Sequence, residues 1–294
     1  MAQNLDTIAG PSRIISDENY NGLRICKKDI SIELLMTIFC YIDHRTLLKC
    51  QLVCKQWKMV IQDYVWWKKA GLVLDKSFSR CKEIPWQVFY LIYKTKPPFE
   101  KNLLKNHSGE ECFRHWVCHN NLSTNWTIEN PPSGVPELPL TEPIFEGKQY
   151  CFACFCIVKE TVEPFNIKYQ TIDLEAEGFH PYILDVLQPP IMISEWYSCQ
   201  NNFPAVYQCL IKLLGYVGKN SISNILDTFQ FTDIIEGEKL GKWHNISHVF
   251  ANYGRGLRTI IFAHRGIFNL PIKEPISIYH GSKMAGGCIR VKIP

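Results

Sequence analysis

A chain of 294 residues that is 46% hydrophobic and 13% aromatic can bury a sizeable core, which excludes a globally disordered protein. The net charge is +4, with 15 Lys/Arg against 9 Asp/Glu in residues 1–98 and 17 against 19 thereafter. Neither part carries the dense basic stripe of a nucleic-acid binder, and the longest apolar run, Tyr150 to Val158, is far too short to span a bilayer. The first residues, MAQNLDTIAGPSRIISDENYNG, lack a basic start followed by an apolar core. Thirteen cysteines, an odd number without such a leader, are expected as reduced thiols of a cytoplasmic protein, with the nucleus also open.

Residues 1–26 are polar and expected to form a flexible tail. From 27 to 75 the pattern turns helical. Ile32, Leu35, Phe39 and Ile42 recur every three or four residues, and Leu34 and Ile38 widen the stripe. Asp43 is an N-cap candidate for a second helix carrying Leu47, Leu48 and Leu52. Val53, Trp57, Val60 and Ile61 continue at helical spacing to Trp66-Trp67. About forty helical residues cannot make a self-sufficient core, so the surplus apolar face must be covered by the rest of the chain or by a partner.

That run, with Glu33-Leu34-Leu35, Ile38-Phe39, Ile42-Asp43, Leu47-Leu48, Val53-Cys54, Trp57 and Trp66, resembles an F-box. The resemblance implies a three-helix unit that docks onto the Skp-type adaptor, and through it onto the cullin and RING subunits of a ubiquitin ligase. The residues that would carry that fold and docking are Leu34, Leu35, Ile38, Phe39, Leu47, Leu48, Val53 and Trp57. The family's usual Leu-Pro before the first helix reads Ile30-Ser31 here. Proline at that point only pre-sets φ, and Ser31 or Asp29 can cap instead.

Ile84, Val88, Phe89 and Ile92 predict a helix over Ser77 to Tyr93, stopped by Pro97-Pro98, within a helical linker over 76–98. Beyond Pro98 short alternating runs are separated by turn residues. Strands are expected at Tyr150 to Val158, Tyr169 to Leu174, Tyr207 to Leu214, Arg258 to Phe262 and Cys288 to Ile293. The fold class is therefore α+β, with helices first and an antiparallel sandwich over 99–294.

A second resemblance runs in family order through the same region: Asn102 to Asn106, Asp173 to Phe179, Ile193 to Tyr197, Tyr207-Gln208, Ile246 to Phe250, Tyr253 to Arg258 and Gly281 to Gly286. These are similar to the F-box-associated domain. The resemblance implies a jelly-roll-like β-sandwich for substrate recognition, and several members of that family bind high-mannose N-glycans on misfolded glycoproteins. Those members carry an aromatic pair shortly before the Gly-Ser-Lys strand. Here the pair falls on Pro275-Ile276 or on Pro271-Ile272, depending on the direction of alignment, and a family carboxylate reads as Asn202. Phe155 keeps a third aromatic position, and Phe268, Tyr279 or His280 could substitute for the pair.

The expected function is that of a non-catalytic substrate-recognition subunit directing protein or glycoprotein substrates to proteasomal degradation. Its rival is a ligase-independent cytosolic lectin or chaperone-like binder. No cofactor, metal, nucleic acid or membrane insertion is expected. Cys151 and Cys154 lie three apart on a strand and so face opposite ways. Cys112, His115, Cys118 and His119 match no known ligand spacing. Gly237 to Trp243 is one residue short of a phosphate loop and has Trp where the hydroxyl belongs. Asp173, Glu175 and Glu177 are expected on one strand face, without a carboxylate opposite them to make a hydrolytic pair.

Overall fold

The computed structural model describes residues 23–25, 28–75, 83–118, 126–157, 166–216, 224–268 and 278–293. It divides into two compact units, residues 1–94 and 95–294.

The first unit opens with the short strands β1 (Arg24–Ile25) and β2 (Lys28–Asp29), followed by α1 (Ile32–Tyr41) and α2 (His44–Cys50). Then α3 (Lys55–Val60) runs through a π turn at Ile61–Val65 into α4 (Trp66–Leu74), and α5 (Trp86–Thr95) closes the unit. The starts of α1 and α2 are set by the expected caps. Ser31 Oγ accepts from the Leu34 amide at 3.3 Å, and Asp43 Oδ1 accepts from those of Arg45 and Thr46 at 2.9 and 3.1 Å. The last helix differs from its expected position: it covers Trp86–Thr95, and residues 76–82 lie outside the described residues. Its Trp86 stacks on Trp66 of α4 at 6.4 Å, and Tyr90 meets the same indole edge-on at 5.1 Å.

In the second unit β3 is Val117–Cys118, β4 Trp126–Glu129, β5 Cys151–Ile157 and β6 Asn166–Asp173. After α6 (Pro181–Leu187) come β7 (Ile191–Ser198), β8 (Ala205–Gly215), β9 (Ile225–Ile235), β10 (His244–Phe250), β11 (Leu257–Phe268) and β12 (Ile278–Val291). They form two five-stranded antiparallel sheets in the orders β10-β7-β12-β5-β4 and β3-β6-β11-β8-β9, giving a jelly-roll-like sandwich. Several strands far exceed the short runs expected: β8 and β9 have 11 residues, β11 has 12 and β12 has 14. The acidic triplet is also corrected. The strand ends at Asp173, whose carboxylate caps the following turn through the amides of Glu175 and Ala176. Glu175 and Glu177 therefore belong to that turn rather than to a strand face.

Alternation places Ile193, Tyr207, Ile211, Ile260 and Phe262 between the sheets, all of them buried. The segment joining β4 to β5 packs Leu138 and Phe145 against Cys151 and Ala285, on the outer side of the first sheet. Gly286 makes this close approach possible. Its φ is +64°, and a Cβ there would lie 2.8 Å from the Phe145 ring.

Candidate functional site

The caps orient α1 and α2 so that one side of each is consumed by the first unit's own core. Leu35, Phe39, Leu47, Val60, Ile61, Val65, Trp66 and Ala70 are all buried there. The Lys69 ammonium donates to the Cys40 carbonyl at 2.8 Å and lies 4.7 Å from the centre of the Tyr93 ring. It thus places a cation at the C-terminal end of α1, where the helix dipole favours one. Thr46 and the capped amides hold the Asp43 carboxyl below its usual range.

This core divides the eight sequence-derived docking candidates. Leu35, Phe39 and Leu47 fill the interior, which puts them on the fold side of the joint fold-and-docking set. Leu48 and Trp57 are half-buried, the latter edge-on to Phe39 at 5.1 Å. Leu34, Ile38 and Val53 stand 52%, 39% and 63% exposed. Tyr41 and Leu52, which the sequence set omits, are more exposed still. Tyr41 follows Leu34 and Ile38 at i+7 and i+3, a helical relation that could have found it.

The sandwich candidates gather less completely. His280 of β12 pairs in register with Phe155 of β5, and the His280 ring meets Phe203 edge-on at 5.0 Å. Burial, reinforced by the Lys283 ammonium, pulls His280 below its ordinary pKa, against an opposing pull from Glu129. Lys283 itself is buried and bonds Glu129 at 2.5 Å. Asn202 is exposed in the turn before β8, next to Phe203. Phe268 and Tyr279 lie in β11 and β12 by backbone, with side chains outside the described residues, as are both registers of the expected aromatic pair. Phe203 was missed because it precedes a strand without any periodic signal. Cys151 Sγ faces Glu129, whereas Cys154 Sγ donates to the Gly266 carbonyl of the other sheet at 3.1 Å. Among the described residues no three His, Cys, Asp or Glu side chains are grouped to hold a metal.

The strongest electrostatics lie in the core between the sheets. Glu195 of β7 accepts from the Tyr207 hydroxyl at 2.5 Å and lies 2.6 Å from His264 Nδ1, and all three side chains are buried. His264 stacks on Trp116 at 4.8 Å. Among the described residues the buried Lys168 amine has no hydrogen-bond partner, and it sits 3.1 Å from the Phe152 ring centre and 3.8 Å from that of Trp116. Burial drives the Lys168 amine well below its normal range. Burial and Lys168 bring His264 down to about 4, although Glu195 pulls the other way. Buried between the sheets, this network ties one sheet to the other.

The His264 shift has a pH consequence. Between pH of about 6.5 and about 4 the unfolded chain takes up a proton that folded His264 refuses. Its contribution is therefore complete above that window and falls with pH inside it, by about 1.4 kcal/mol per unit at the steepest. Urea unfolding at a series of acidic pH values should show this slope, and His264→Gln should flatten it. An equal slope in both proteins would contradict the assignment.

Two family models match the chain. The one described as F-box-like covers residues 32–72, and the one described as the F-box associated region covers residues 94–291. F-box only protein 2 of Bos taurus is 31% identical over 225 residues, spanning 74% of this chain and 68% of that protein. F-box only protein 6 of Rattus norvegicus is 27% identical over 240 residues, spanning 79% and 76%. F-box only protein 44 of Homo sapiens is also 27% identical, spanning 80% and 86%. Among solved structures, TmCBM61 in complex with beta-1,4-galactotriose aligns at 10% identity and a TM-score of 0.39, over 66% of this chain and all of that one. That score is too low to carry weight. The helical unit with its exposed leucine and isoleucine face, the sandwich that follows it in sequence and both family matches agree: the chain belongs to the F-box proteins with an F-box associated region, non-catalytic substrate-recognition subunits.

Proposed function

We propose that the chain is the substrate receptor of an SCF-type cullin-RING ligase, working in the cytoplasm and directing misfolded proteins to ubiquitination and degradation. The observation that carries this reading is the row Leu34, Ile38 and Tyr41 on α1, joined by Leu52 and Val53. Leu34, Ile38 and Tyr41 are exposed on α1, and Leu52 and Val53 in the turn after α2, beside helices whose own core is already filled. A side chain of this kind contributes about 1.5–3 kcal/mol when fully buried, so a partner covering several of them gains a stable interface. Cys151, Cys199, Cys209 and Cys288 are buried thiols, which suits a reducing compartment. Expressed in cells with the proteasome inhibited, the tagged chain should co-purify with a Skp-type adaptor, a cullin and ubiquitinated clients. Recovery of clients without adaptor or cullin would favour the ligase-independent binder.

High-mannose glycan is not the proposed determinant. The positions that resemble the family's stacking pair hold proline and isoleucine, and an amide stands in place of the carboxylate. Without those groups a pyranose loses both its stacking face and a charge-assisted hydroxyl acceptor. Calorimetric titration with a high-mannose glycopeptide should give no saturable heat below roughly 1 mM, and low-micromolar binding would contradict this.

A further inference from the structure

The outer face of the sheet β3-β6-β11-β8-β9 is more apolar than a solvated sheet requires. Outward positions of the inner strands should be polar when water covers them. Here they include Ile167 and Tyr169 on β6, Ile261 and Ala263 on β11, and Val206 and Leu210 on β8, none of them fully buried. Thr228, Gln230, Thr232 and Ile234 of the edge strand β9 are exposed beside them. A pocket of about 190 Å³ opens on this face, lined chiefly by Ile167, Leu210 and Ala263, with Gln208, Gln230 and Arg265 around them.

Two properties select an occupant. Pockets that enclose whole small ligands run from about 300 Å³ upward, so this one suits a single anchoring side chain of something larger. The charged outward side chains of its central rows are Lys212 and Arg265, with Arg265 Nε donating to Gln208 Oε1. Among the described residues of these central strands the outward carboxylate, Asp173, lies at the end of the sheet and is engaged in capping its turn. Amides and hydroxyls on β8 and β9 can meet the main chain of an extended segment, and the Lys212 ammonium favours a segment bearing carboxylates.

We propose that this face docks an extended, aliphatic and acidic stretch of a client polypeptide, anchored by one aliphatic side chain in the pocket. The proposal rests on the receptor reading and names the client chemistry.

The test uses the full chain bound to a Skp-type adaptor. The probes are reduced and carboxamidomethylated α-lactalbumin, an acidic unfolded chain, and lysozyme treated in the same way, a basic one. The acidic probe should bind at least roughly tenfold more tightly than the basic one. Leu210→Glu combined with Lys212→Glu should remove that binding while adaptor recovery and melting temperature stay unchanged. Ala263→Glu alone, a single outward change, should weaken it in the same direction if the double variant fails to fold. Failure of the parent chain to bind the acidic probe, equal binding of both probes, or undiminished binding by folded variants would overturn the proposal. If the parent chain instead fails to hold the adaptor, the receptor reading falls, which is a separate result.

Discussion

Glu195→Ala should destabilise the sandwich by about 3–5 kcal/mol, because it strands two buried partners at once. The Tyr207 hydroxyl would lose its acceptor, and His264 would lose the bond at Nδ1 while its Nε2 has no partner among the described residues. Lys168 would also lose the anion that partly offsets its burial. Glu195→Gln should cost less, since an amide oxygen still accepts from Tyr207. Removing two partners together, as in Glu195→Leu with His264→Leu, should cost less than the sum of the single changes. Urea unfolding of the parent chain, Glu195→Ala, Glu195→Gln, the two leucine single variants and their double variant at neutral pH decides this. A loss below about 1 kcal/mol for Glu195→Ala would mean that the network does not tie the sheets together.

The second large effect separates core from surface in the helical unit. Phe39→Ala should cost about 3–5 kcal/mol and Leu35→Ala about 2–5, because each leaves a cavity among Val60, Ile61, Val65 and Trp66 that the capped helices cannot close. Leu34→Asp and Ile38→Asp, made at exposed positions one residue away, should change stability by about 0.5 kcal/mol or less. The two pairs are neighbours in sequence and opposites in burial. Losing adaptor through Phe39→Ala would report unfolding, and losing it through Ile38→Asp would report the interface. Comparable destabilisation by both pairs would contradict the division of the stripe.

Much of this architecture is legible from residues alone. The 3.6-residue recurrence from Ile32 to Ile61 and the caps Ser31 and Asp43 locate α1 to α3, because the cues lie within a few residues of one another. The texture change after Pro98 separates helix from sandwich. Inside and outside on α1 were not legible, since Leu34-Leu35 and Ile38-Phe39 are adjacent apolar pairs of similar chemistry. Only packing against the π turn at Ile61–Val65 and against Trp57 decides between them. The buried network escaped for a different reason. Lys168, Glu195 and His264 occupy inward strand positions where alternation predicts apolar residues, and their partners come from strands distant in sequence. The sandwich-end candidates were only partly brought together: Phe155 meets His280 across the strand pair, while Asn202 stands in a turn whose neighbour Phe203 gave no sequence signal.

The central claim is that the exposed row of α1, with Val53, is an adaptor-docking surface. Its most direct measurement is co-purification of a Skp-type adaptor with the Ile38→Asp, Val53→Asp double variant, read beside the melting temperature of each protein. The account predicts that the adaptor is lost while the melting temperature stays within a few degrees of the parent chain. Full adaptor recovery by a folded double variant would contradict it.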